Sequence, residues 1–109
     1  MAAIQNLVIE QGATFIRVFN LSNGTAPYDL SLYTIQAQIR RSYNSSSGLI
    51  FTTAIVGAST EGALSISLTS GETLTLKYGR YVYDIYLVNG TDRIRAVEGI
   101  ITVTPTVTR

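Results

Sequence analysis

Alternation with a period of two, in short runs closed by turn signals, is the feature that most limits what this chain can become. In residues 34–41, Ile35, Ala37 and Ile39 take one parity, and Gln36, Gln38 and Arg40 take the other. Residues 64–68 repeat the pattern, with Leu64, Ile66 and Leu68 set against Ser65 and Ser67. Successive side chains of a strand point to opposite faces, so each run has one face to bury and one to leave outside. Further runs at residues 4–10, 14–21, 49–56, 80–88 and 91–103 bring the total to seven strands. The predicted fold is therefore all-β: an immunoglobulin-like antiparallel β-sandwich of about seven strands, in a single domain over residues 1–109.

Local signals fill in the frame. Asn89-Gly90 between two apolar runs is a hairpin turn, and Ser22-Asn23-Gly24-Thr25 is a second turn. The stretch Tyr43-Asn44-Ser45-Ser46-Ser47-Gly48 reads as a polar loop. In Thr69-Ser70-Gly71-Glu72 an acid follows Thr by three positions, as in a capping box, which predicts one helical turn across residues 70–76. Two strands carry a difficulty. In residues 14–21, Phe15, Phe19 and Leu21 share a side with Arg17, while Ile16 and Val18 share the other. Either a bulge flips the phase or both faces are covered. The run 91–103 is long enough to require a bulge, expected at Gly99. Gly79-Arg80-Tyr81-Val82-Tyr83 has the spacing that opens strand F of immunoglobulin-like domains. Tyr81 is then a structural tyrosine corner, its hydroxyl bonding to backbone a few residues upstream. The alternative is that Tyr81 and Tyr83 are simply two core-facing aromatics.

Composition removes most chemistry. The chain has no Cys, His or Trp. Disulfides, thiolate or imidazole metal sites and nucleophile–His mechanisms are therefore unavailable. The seven carboxylates are scattered, without the spacing of a metal loop or a paired-acid hydrolase. No catalytic, cofactor-binding or metal-binding residue is assigned, and the chain is not expected to be an enzyme. Eight basic and seven acidic residues leave a net charge of +1, too small to argue for nucleic acid or an acidic membrane surface. No run reaches the roughly 20 apolar residues of a membrane helix, and the N-terminus has no basic leader, so synthesis in the cytosol is expected. Asp84 interrupts the most apolar strand. It either forms a buried ion pair with an Arg or lies on a face that meets solvent or a neighbouring subunit.

What remains points outward. Charged residues are only 14% of the chain, where soluble domains carry roughly 25%, so much of the surface is neutral. Seven of the eight cations are Arg, and Lys77 is the only Lys. Arg and Tyr are enriched at interfaces and Lys is depleted there, although a base-composition bias in the genome gives the same count. Arg17, Arg40, Tyr43, Tyr86, Arg93, Arg95 and Arg109 are the candidate interface residues. Residues 4–10 and 100–108 carry no Lys, and only Pro105 interrupts them. As edge strands they would be unprotected, which predicts that another subunit covers one or both. A carbohydrate- or receptor-binding module is the alternative, with Tyr and Arg at one end of the sandwich and the loop 43–48 presenting them.

Four passages, in order, carry a resemblance: Ile9-Glu-Gln-Gly-Ala-Thr-Phe15; Asp29-Leu-Ser-Leu-Tyr-Thr34 with Ala37-Gln-Ile-Arg-Arg41; residues 79–87; and residues 97–109. The chain resembles small virion structural proteins of tailed bacteriophages, including phages of cyanobacteria. The order of its extended segments is similar to that in N-terminal domains of phage baseplate upper proteins. The resemblance implies a non-enzymatic, multi-copy part of a virion, made in the host cytoplasm. Its expected partners are its own copies and other virion proteins, with no nucleic acid, membrane or cofactor. A capsid decoration (cement) role and a tail, neck or baseplate role both fit. No longer fibre follows residue 109 in this sequence, which counts against a fibre.

Overall fold

Parity decides which residues go inside. The computed structural model describes residues 3–22, 29–42, 44 and 48–108. Its strands are β1 (Ala3–Ile4), β2 (Leu7–Glu10), β3 (Phe15–Asn20), β4 (Thr34–Arg40), β5 (Gly48–Ile50), β6 (Thr52–Ile55), β7 (Ala63–Leu68), β8 (Gly79–Asn89) and β9 (Asp92–Thr104). A 3-10 turn spans Ser59–Glu61, and the short helix α1 spans Ser70–Leu74. The larger sheet runs β1-β9-β8-β4-β5, with β2 continuing beside β9; the smaller runs β3-β7-β6. Ile39, Ile85, Leu87, Val97 and Ile101 from the larger sheet meet Phe19, Leu64, Ile66 and Leu68 from the smaller one in a single buried cluster. The chain folds as a β-sandwich.

Among the described residues the nine strands are seven extended stretches, two of them broken. Residues 49–56, expected as one strand, divide at Phe51. β5 pairs with β4 in the larger sheet, and β6 pairs with β7 in the smaller. Phe51 at the crossing is buried, its N–H bonded to the Ala37 carbonyl at 3.0 Å. Its ring lies 6.1 Å from Phe15 and 6.4 Å from Tyr83, so the crossing is anchored by aromatic contacts in the core. β1 and β2 are the other broken stretch, and they run parallel to β9 in a sandwich otherwise antiparallel.

Three expectations need correction. Residues 100–104 are not an edge, because β9 lies between β8 and β1/β2. Residues 14–21 need no bulge: β3 pairs with β7 in unbroken register from Phe15↔Leu68 to Asn20↔Ala63. Phe15 and Phe19 point inward, and Ile16 and Val18 point outward and stay 65% and 46% exposed. The bulge in β9 is at Ala96, which is skipped between the pairs Ile85↔Val97 and Tyr86↔Arg95. Gly99 has a different task. A Cβ there would sit 2.0 Å from the Gln5 carbonyl oxygen, so Gly99 lets the break between β1 and β2 approach β9 closely.

The capping box forms as the spacing predicts. The Glu72 N–H donates to the Thr69 hydroxyl at 3.2 Å, and the Thr69 N–H donates to the Glu72 carboxylate at 2.9 Å. Tyr81, at the start of β8, donates its hydroxyl to the Lys77 carbonyl at 2.7 Å, which is the bond a tyrosine corner makes. No helix among the described residues is long and apolar enough to cross a membrane.

Candidate functional site

The outward parity of the larger sheet builds the site. Ile35, Ala37 and Ile39 of β4 and Tyr81, Tyr83, Ile85 and Leu87 of β8 are drawn to the core, so the residues between them are left outside. β4 presents Gln36, Gln38 and Arg40, and β8 presents Val82, Asp84 and Tyr86 in register beside them. The bulge at Ala96 resets the parity of β9, so Arg93 and Arg95 come to the same face. A shallow depression of about 350 Å³ lies among these side chains, with Ser42 at its rim.

Tyr86 is its centre. The Arg93 guanidinium carbon lies 4.4 Å from the centre of the Tyr86 ring, and that of Arg95 lies 5.4 Å away. Arg95 also donates to the Tyr86 hydroxyl, from Nη2 at 2.9 Å and from Nε at 3.2 Å. The ring thus holds two long cationic side chains through π contacts and hydrogen bonds. On the adjoining strand, Arg40 donates to the Gln38 side-chain oxygen from Nε at 3.1 Å and from Nη2 at 2.8 Å.

Asp84 sits beside this group with its side chain 31% exposed. Its cross-strand partner is Glu98, so two carboxylates face each other on one pleat. Arg95 bridges them, 3.9 Å from Asp84 and 3.7 Å from Glu98. Burial still pushes the Asp84 carboxyl above the ordinary aspartate range. The Arg95, Arg93 and Arg40 charges only partly oppose that shift, and Glu98 adds to it. Asp84 is therefore both half-buried and ion-paired, which combines the two readings of its position in the sequence. Asp29 uses its carboxylate locally, accepting from the Ser31 N–H at 3.0 Å and the Ser31 hydroxyl at 2.6 Å. Among the described residues no cluster of three or more acids could hold a metal ion.

Of the candidate interface residues, Arg40, Tyr86, Arg93 and Arg95 line this one depression. Arg17 does not. It belongs to β3 in the other sheet, on the inward parity, and reaches solvent because β3 is an edge. Tyr83 feels its charge, although burial dominates and pushes the Tyr83 phenol up to about 12. Tyr43 and Arg109 lie outside the described residues. Gln36, Gln38 and Val82 were missed in the sequence. Their signal was available, since they share the parity of Arg40 and Tyr86 on strands that pair, but that pairing cannot be read from either strand alone.

Neither a protein-family model nor a curated protein matches the chain. Among solved structures it is similar to Listeria monocytogenes InlP, with a TM-score of 0.51 and 12% sequence identity over 94% of this chain. The chain spans 28% of the length of that protein. At this identity the likeness concerns the fold, and it agrees with the sandwich described above.

Proposed function

We propose that the chain is a non-enzymatic structural protein of a tailed-phage virion, present in many copies. It docks on other virion proteins and on its own copies through the outer face of the larger sheet. The observation that carries this reading is the Tyr86 ring in contact with both Arg93 and Arg95. Tyr and Arg dominate the binding energy of protein interfaces. Long side chains already ordered against a ring lose less entropy when a partner arrives.

Two further features support it. The exposed outward positions of the smaller sheet are Ile16, Val18, Asn20, Thr52 and Ala54, with Ser67 half-buried beside them, and none of them is charged. Such a face is buried against a neighbour at little desolvation cost. The outer edge of β2 has neither Lys nor Pro, the usual guards against pairing with another chain, whereas the edge strand β3 carries Arg17 on its inward parity. The resemblance of the four ordered passages to small virion proteins of tailed phages supplies the setting. Both a capsid decoration role and a neck, tail or baseplate role use these surfaces.

The test is a co-sedimentation experiment with phage particles assembled without this chain. Wild-type protein is expected to bind to saturation. Tyr86→Ala is expected to bind about tenfold more weakly, the loss of an interface anchor. Wild-type protein that stays in the supernatant contradicts the reading.

A further inference from the structure

At the end of the sandwich where β4 and β9 finish and β8 begins, a second depression opens, of about 650 Å³. It is lined by Gln11, Arg41, Lys77, Tyr78, Pro105 and Thr106. It shares no lining residue with the Tyr86 depression. One ring touches both residues that carry its cations. The guanidinium carbon of Arg41 lies 4.9 Å from the centre of the Tyr81 ring. The hydroxyl of the same tyrosine donates to the Lys77 carbonyl at 2.7 Å, which fixes the backbone that carries the ammonium group. Gly79, at φ +134°, leaves room for this packing, since a Cβ there would lie 2.7 Å from an Arg41 terminal nitrogen.

Tyr78 adds an aromatic ring that is 67% exposed. The Gln11 amide is already committed. Its nitrogen donates to the Leu76 carbonyl at 2.7 Å, and its oxygen accepts from the Thr106 N–H at 3.3 Å. The side-chain polar groups left for a ligand are therefore mainly cationic. Among the described residues, neither Arg41 nor Lys77 has a carboxylate within ion-pair distance. Two cations with no carboxylate in ion-pair distance among the described residues, beside an exposed aromatic ring, suit a ligand that carries an anion on a ring with an apolar side.

We infer that this depression binds an acidic saccharide. The sugar carboxylate pairs with Arg41 and Lys77, and the apolar face of the pyranose ring stacks on Tyr78. A single-stranded nucleic acid would offer anions and rings as well, but it needs a track of cations along its backbone. Here two cations stand in a chain of net charge +1. The site does not depend on the assembly role, because it uses other residues.

The test is calorimetric titration of the whole chain with oligogalacturonate, maltohexaose and oligothymidylate. The proteins are wild type, Arg41→Gln, Lys77→Gln, Tyr78→Ala and, as a surface control, Thr91→Ala. Wild type and Thr91→Ala are expected to bind oligogalacturonate alike. Each of the three site variants is expected to bind about tenfold more weakly, as the loss of a charge-assisted or stacking contact implies. Lys77 and Tyr78 are exposed, so those two variants keep the inference testable if Arg41→Gln folds poorly. Absence of binding to oligogalacturonate overturns the inference, as does binding unchanged in Lys77→Gln and Tyr78→Ala. Equal affinity for maltohexaose removes the role of the cations. Equal affinity for oligothymidylate replaces the acidic saccharide with a nucleic acid.

Discussion

Single side chains on β8 set both the stability and the chemistry of this sandwich, and they do so in opposite senses. Tyr81 contributes to stability through its bond to the Lys77 carbonyl. Tyr81→Phe removes one hydroxyl from a mostly buried ring, and should lower the unfolding free energy by about 1 kcal/mol in a denaturant titration. Asp84 acts against stability. Its folded carboxyl is held above the ordinary value, chiefly by burial. The folded state therefore binds the proton more tightly than the unfolded chain, and stability falls as pH rises from the unfolded value of 3.8 through the raised folded one. Asp84→Asn should be more stable than wild type above that range, with the difference shrinking below pH 3.8. A difference that stays constant across the range would contradict this assignment. Tyr81 was legible in the sequence, because the corner reaches back only four positions, to Lys77, and needs no distant partner. The balance at Asp84 was not, because Arg95 and Glu98 reach it only once β8 and β9 have paired.

Between elements, what could be read depended on how far a signal reaches along the chain. The capping box of α1 and the hairpin joining β8 to β9 are local, and both formed where their residues stand. The sheet switch at Phe51 was invisible, because alternation continues across it and only the pairing partners change. The bulge was expected at Gly99 on the ground that Gly often marks one. Ala96 took that place, and Gly99 was claimed by a contact with Gln5, more than 90 positions earlier in the chain. This contact can be tested directly. Gly99→Ala places a methyl group against the Gln5 carbonyl and the Tyr83 ring. It should cost about 1–3 kcal/mol as an overpacked site. The loss should begin in the parallel pairing of β2 with β9, so amide hydrogen exchange should speed up at Val8 and Ile9 before it does at Ile85 or Leu87. Uniform acceleration across the molecule would show that β2 is not a separable element.

The whole molecule presents different surfaces in different directions: an ordered Tyr–Arg group on one sheet, an uncharged face on the other, and two guanidine or ammonium groups around a hollow at one end. The neutral surface was already legible in the low charge content, and the sandwich in the seven alternating runs. The gathering of Arg40, Tyr86, Arg93 and Arg95 was not, since it needs the registers of β4 with β8 and of β8 with β9 together. Surfaces of this kind suit a protein whose work is to be packed among others. The copy number of the chain in purified phage particles, measured by quantitative mass spectrometry against the major capsid protein, tests this most directly. A fixed stoichiometry is expected: hundreds of copies near parity with the capsid protein for a decoration role, or a six- or twelve-fold ring for a neck, tail or baseplate role. Absence of the chain from the particle would contradict it.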